Sequence, residues 1–110
     1  MSDFKTKSCS ACNGFTEKIE HDDAISYLKG LPEWSLSADG LSISRKFNFK
    51  NFKQTMFFIN AVAFLCEREG HHPDAKFSFN YCELAFTTHE LGGLSENDFI
   101  CAYKVDDLIK

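Results

Sequence analysis

The chain has 110 residues, 44% of them hydrophobic, with 12 Lys and Arg against 16 Asp and Glu for a net charge of −4. That length makes one domain, able to fold alone or as a small oligomer. Basic residues scattered along a mildly acidic chain argue against direct nucleic-acid binding, no apolar run nears the roughly twenty residues of a membrane span, and Met1-Ser2-Asp3-Phe4-Lys5 lacks a secretory core, so the chain is expected in the cytoplasm.

Five cysteines, an odd number without an export signal, fit reduced thiols better than a disulfide framework. Cys66, Cys82 and Cys101 fall among apolar residues and read as small core or interface side chains. Cys9 and Cys12 form a lone Cys-x-x-Cys, half of a tetrahedral zinc site or a redox pair, with no second pair to complete the former. Twelve phenylalanines are more than so small an interior hides, which predicts that some lie at a subunit interface or around a ligand.

Residues 1–20 are polar and are expected to form a flexible lead-in to a single domain over 21–110. Asp22 or Asp23 can cap a short helix with Ala24, Ile25 and Leu28 on one face, ended by Gly30 and Pro32. Trp34 to Leu36 and Leu41 to Phe49 alternate apolar with polar about a Ser37-Ala38-Asp39-Gly40 turn, the pattern of a hairpin with one buried face.

A long helix is predicted from Asn51 to Glu69, with Gly70 placed to end it. Its apolar residues occupy three helical phases, through Met56, Phe58 and Phe57, and leave only a narrow polar seam at Lys53, Asn60 and Glu67. A helix apolar nearly all round is buried on more than one side, which in a domain this small predicts a homo-oligomer, a dimer or tetramer, built through residues 51–69. A second alternating pair follows, Lys76 to Phe79 and Cys82 to Thr87 about an Asn80-Tyr81 turn, with His89 just beyond the last strand. Ser95-Glu96-Asn97-Asp98 has capping-box spacing and starts a final helix through Phe99, Ile100, Tyr103 and Val105. Two hairpins and three helices in the order α-β-β-α-β-β-α predict an α+β fold, a four-stranded antiparallel sheet with helices on one face.

Three of the four histidines, His71, His72 and His89, sit at two backbone positions that such a fold can bring together, while His21 reads as a surface residue. Imidazole both gives and takes protons near neutrality, so the cluster points to acid–base chemistry or metal binding. Pro73 biases His72 toward extended backbone, which turns the His71 and His72 side chains in different directions. Glu67, one helical turn before His71, can hydrogen-bond an imidazole nitrogen and set its tautomer. Asp98 can do the same, or serve as a helix-capping acid.

Glu67, His71, His72, Pro73, Phe79, His89 and Asp98 together resemble the spaced motif of the pterin-4a-carbinolamine dehydratases, and the likeness covers about residues 22 to 110, with Cys9 and Cys12 outside it. The resemblance implies dehydration of a 4a-hydroxytetrahydropterin to the quinonoid dihydropterin, in recycling the cofactor of aromatic amino acid hydroxylases. Loss of hydroxide from C4a is slow unless its oxygen is protonated, and forming the C=N bond requires loss of the N5 proton. One protonated and one neutral imidazole meet both needs without a metal.

By resemblance His71 and His89 are the acid–base pair, while His72 holds the pterin and shares the proton work. Gly70, Thr87, Thr88 and Glu90 look like the family's pterin-binding segments, Trp34 is a candidate ring wall, and no cofactor is implied because the pterin is the substrate. Two alternatives stay open. One is a three-histidine zinc site, for which adjacent histidines are poor geometry. The other is a non-catalytic pterin-binding or dimerisation module of the same fold, a role in which relatives serve a transcription factor or assembly.

Overall fold

The computed structural model describes residues 17–109. Helix α1 (His21–Leu28), strands β1 (Ser35–Leu36) and β2 (Ile43–Asn48), helix α2 (Phe52–Glu69), strands β3 (Asp74–Ser78) and β4 (Tyr81–Phe86), a 3-10 turn (His89–Leu91) and helix α3 (Glu96–Asp107) follow in that order. The strands form one antiparallel sheet, β1-β2-β4-β3, so the expected α+β architecture is present. Residues 1–16, with Cys9 and Cys12, lie outside the described residues. Ile19, which the composition places in the lead-in, donates its N–H to Leu94 O at 2.7 Å and packs against the core.

Alternation decides which face of the sheet is covered. On β4, Cys82, Leu84 and Phe86 are buried, and their β2 partners on the same face are Phe47, Arg45 and Ile43. Trp34, Phe47, Phe86 and, from α2, Phe58 pack as neighbouring rings, with the centroids of adjacent rings 4.6 to 6.1 Å apart. The opposite face is polar: Lys46 lies over the Tyr81 ring at 4.5 Å and Lys76 pairs with Glu83 at 3.4 Å.

Helix α2 starts where the sequence predicts. Asn51 has extended backbone and its side chain accepts the Gln54 N–H at 2.9 Å, and Gly70, at φ +71°, closes the other end with its N–H on Cys66 O. Thr55, Phe58, Val62, Leu65 and Cys66 form its buried face. Phe52, Phe57 and Phe64 stay more than half exposed, so within one chain the helix is covered on one side only.

Two local readings need correction. Helix α1 starts at His21 with Glu20 at its cap, ahead of either aspartate, and makes no side-chain cap bond. The second hairpin turns at Phe79-Asn80, one residue early, because Tyr81 is already paired with Ser78 and Asn48. Thr55, which carries no motif, fixes that turn by donating its hydroxyl to Phe79 O at 2.8 Å. Among the described residues no helix is long and apolar enough to cross a membrane.

Candidate active site

Gly70 does more than end α2. Its left-handed backbone turns the chain so that His71 drops inward and His72 stays outside: His71 is 7% exposed, whereas the His72 side chain is 63% exposed. The two rings therefore take different partners. His71 Nε2 lies 2.6 Å from Asp98 Oδ1, and its ring runs parallel to Phe86 with centroids 6.1 Å apart. His72 Nε2 lies 3.0 Å from Glu67 Oε2 at the surface. Glu67 thus bonds an imidazole as expected, but that of His72, since the turn at Gly70 carries His71 out of its reach.

Asp98 resolves the two readings left open for it, because it fills both roles. One oxygen takes His71, and the other accepts the Ser95 backbone N–H at 2.9 Å as the reciprocal half of the α3 capping box. That second oxygen also accepts the Thr88 hydroxyl at 2.9 Å. A fully buried carboxylate with three donors is well compensated, and an imidazole facing it binds through N–H. The tautomer with its proton on Nε2 is the one that pairs with this carboxylate.

The remaining candidates separate by accessibility. His89 and Glu90 are exposed on the 3-10 turn, and His89 follows directly on Thr88. Thr88 itself is completely buried, so its side chain serves Asp98 and does not meet a ligand. The Thr87 hydroxyl donates to Leu41 O at 2.6 Å and ties the loop to the first hairpin. Trp34 is 4% exposed and donates its indole N–H to Asp106 Oδ1 at 2.9 Å, which makes it a core residue in this chain and not an open wall. Ser95 was missed as a site residue, although its place opposite Asp98 in the capping box is legible.

A cavity of about 260 Å³ opens between α2 and the β3–β4 hairpin, with Val62, Cys66, Cys82 and Leu84 as an apolar floor and Glu67, His72 and Pro73 in its wall. His71 and His89 do not line it. Burial raises the Cys82 thiol above its ordinary range, while a hydrogen bond with Cys101 lowers that of Cys66 against the opposing effect of burial. Both remain free thiols, as expected. Among the described residues no three His, Cys, Asp or Glu side chains converge in a way that could hold a metal ion.

Comparison with known proteins gives the same direction as the motif. The family model described as pterin 4 alpha carbinolamine dehydratase matches residues 17–108. A protein of Nitrosospira multiformis named for pterin-4-alpha-carbinolamine dehydratase is 43% identical over 110 residues, covering 100% of this chain and 96% of its own. One from Nitrosomonas europaea with the same name is 46% identical over 109 residues, covering 98% and 95%. Among solved structures, a transcriptional coactivator/pterin dehydratase from Brucella melitensis shares the fold at a TM-score of 0.82 and 24% identity, over 86% of this chain and 100% of its own. A pterin dehydratase-like protein identified as a RuBisCO assembly factor in the alpha-carboxysome aligns at a TM-score of 0.60 and 28% identity, over 69% and 88%. A family match across the whole domain, carried by relatives above 40% identity, means that the chain belongs to the pterin 4 alpha carbinolamine dehydratase family.

Proposed function

We propose that this chain is a hydro-lyase that converts a 4a-hydroxytetrahydropterin into the quinonoid dihydropterin and water, by general acid–base catalysis from His71, His72 and His89 and without a metal. The C4a–O bond breaks as one imidazolium gives its proton to the departing oxygen. The N5–H proton passes to a neutral imidazole, and the freed electron pair forms the C4a=N5 bond. The observation that carries this reading is the bond from His71 Nε2 to the buried Asp98, which leaves Nδ1 for the substrate and puts a negative charge behind any proton that His71 takes up.

The exposed His72 and Glu67 supply polar groups next to His71, suited to the hydrogen-bonding rim of a flat heterocycle. His89 and Glu90 face solvent close to Thr88 in the chain. The same reading makes the protein a cytoplasmic cofactor-recycling enzyme working with aromatic amino acid hydroxylases. The exposed Phe57 and Phe64, one heptad apart on α2, support assembly as a homo-oligomer through that helix.

Stopped-flow absorbance on freshly generated 4a-hydroxytetrahydropterin tests the activity. His71→Ala and His89→Ala are each expected to slow catalysis by roughly a hundredfold or more. Decay as fast as with the unaltered protein would sink the assignment, and activity lost on exhaustive chelation would point to zinc instead. A non-catalytic assembly module is the second reading, favoured by the likeness to the RuBisCO assembly factor, and no rate above background in the unaltered protein would select it. Sedimentation tests the oligomer: an unaltered protein that runs as a monomer at micromolar concentration contradicts it.

A further inference from the structure

Behind His71 lies a set of buried hydroxyls that substrate cannot touch. Thr88, Ser95 and Asp98 are each 0% exposed. Thr88 Oγ1 has a single hydrogen, and it goes to Asp98 Oδ2 at 2.9 Å. The 2.7 Å contact between Thr88 Oγ1 and Ser95 Oγ therefore runs the other way, with Ser95 donating to Thr88. The result is a directed chain in which Ser95 O–H donates to Thr88, Thr88 O–H donates to the Asp98 carboxylate, and His71 Nε2–H donates to the same carboxylate from the opposite side.

We propose that Thr88 and Ser95 are positioning residues for His71: through Asp98 their two hydroxyls hold the His71 proton on Nε2 and keep Nδ1 available to the substrate. A carboxylate anchored on one oxygen only is free to turn about its terminal torsion and so to loosen its hold on the imidazole N–H. Here Oδ2 is held by two donors from different segments, the Thr88 hydroxyl after β4 and the Ser95 N–H at the start of α3. Oδ1 is thereby aimed at His71 alone. The kinetic part of this inference rests on the dehydratase reading, whereas the tautomer is a property of the free protein.

The test reads both. Nitrogen-15 and proton spectra of the labelled, substrate-free protein are expected to show His71 as the Nε2–H tautomer with a slowly exchanging proton. Thr88→Val removes the hydroxyl at nearly constant volume; it is expected to give a mixture of tautomers and to lower kcat roughly tenfold, with KM changed by less than about twofold. Thr88→Ser keeps the hydroxyl and should restore both values.

A proton on Nδ1 in the unaltered protein, or a Thr88→Val protein with unchanged tautomer and kcat, overturns the proposal. If Thr88→Val does not fold, Ser95→Gly, which still makes a competent helix cap, is read in the same way, and an unchanged tautomer there overturns the part assigned to Ser95. Because the spectrum needs no substrate, an inactive unaltered protein would count against the dehydratase reading and leave the positioning chain to be decided by the tautomer.

Discussion

Asp98 Oδ1 lies 2.6 Å from His71 Nε2, while Oδ2 of the same carboxylate accepts the Ser95 N–H at the start of α3. One side chain thus serves both a candidate proton carrier and the cap of the helix that presents it. Asp98→Asn keeps the shape but offers an amide where the three donors need acceptors. Activity is expected to fall by roughly ten- to a hundredfold, and stability by about 1–2 kcal/mol from the weakened cap and the buried mismatch. Stopped-flow rates and urea unfolding on the same preparation check the two effects, and a loss in only one of them would separate the roles joined here.

The adjacent histidines should differ in what they contribute to folding. His71→Ala strands a buried carboxylate oxygen and removes a ring packed on Phe86, with an expected loss of about 2–3 kcal/mol. His72→Ala breaks an exposed pair with Glu67 and should stay within about 0.5 kcal/mol of the unaltered protein. Equal losses in urea would contradict the inward and outward placement of the two rings.

Gly70 is held at φ +71°, and nothing lies within 4 Å of where a Cβ would stand. Gly70→Ala therefore meets no clash and carries only the backbone cost of the left-handed region, about 1–2 kcal/mol. Gly70→Asn, which tolerates that region better, should lose less. Urea midpoints that fail to rank glycine, asparagine and alanine in that order would show that the turn is not the constraint.

Asp39 gives a pH signature. The Ser37 hydroxyl, and then the Leu41 N–H, hold its carboxyl below the ordinary carboxylate range. A carboxyl lowered by folding contributes stability that is present above its unfolded pKa, near 3.9, and is lost as pH falls through the lower folded value. The gap in urea midpoint between the unaltered protein and Asp39→Ala should be open at pH 6 and close toward pH 3. A gap that widens on acidification would reverse the sign of this linkage.

Most of the fold was legible because its stops are local. Asn51 and Gly70 bracket α2, Ser95 and Asp98 open α3, and strict alternation fixes the buried face of β4. What escaped sequence reading depends on partners far away in the chain. The shift of the second turn depends on a Thr55 hydroxyl 24 residues from its acceptor. Trp34 looks like a ligand wall until Asp106, 72 residues on, takes its indole N–H. Thr88 carries the right residue type for ligand contact, and only packing around Asp98 turns its hydroxyl inward. The histidine cluster was visible as a cluster, but the division between a carboxylate-backed His71 and a surface His72 is set by the helix stop at Gly70 and the docking of α3.

The far end of α3 is fastened as securely as its start. Asp106 Oδ1 accepts both the Trp34 indole N–H and the Arg45 Nη1, each at 2.9 Å, and so joins the last turn of the helix to residues flanking β1 and within β2. Asp106 is consequently a fastening point of the fold. Trimming the sequence back to Val105 would strand the Trp34 indole and the Arg45 guanidinium without this acceptor, and so loosen the last turn of α3 from β1 and β2.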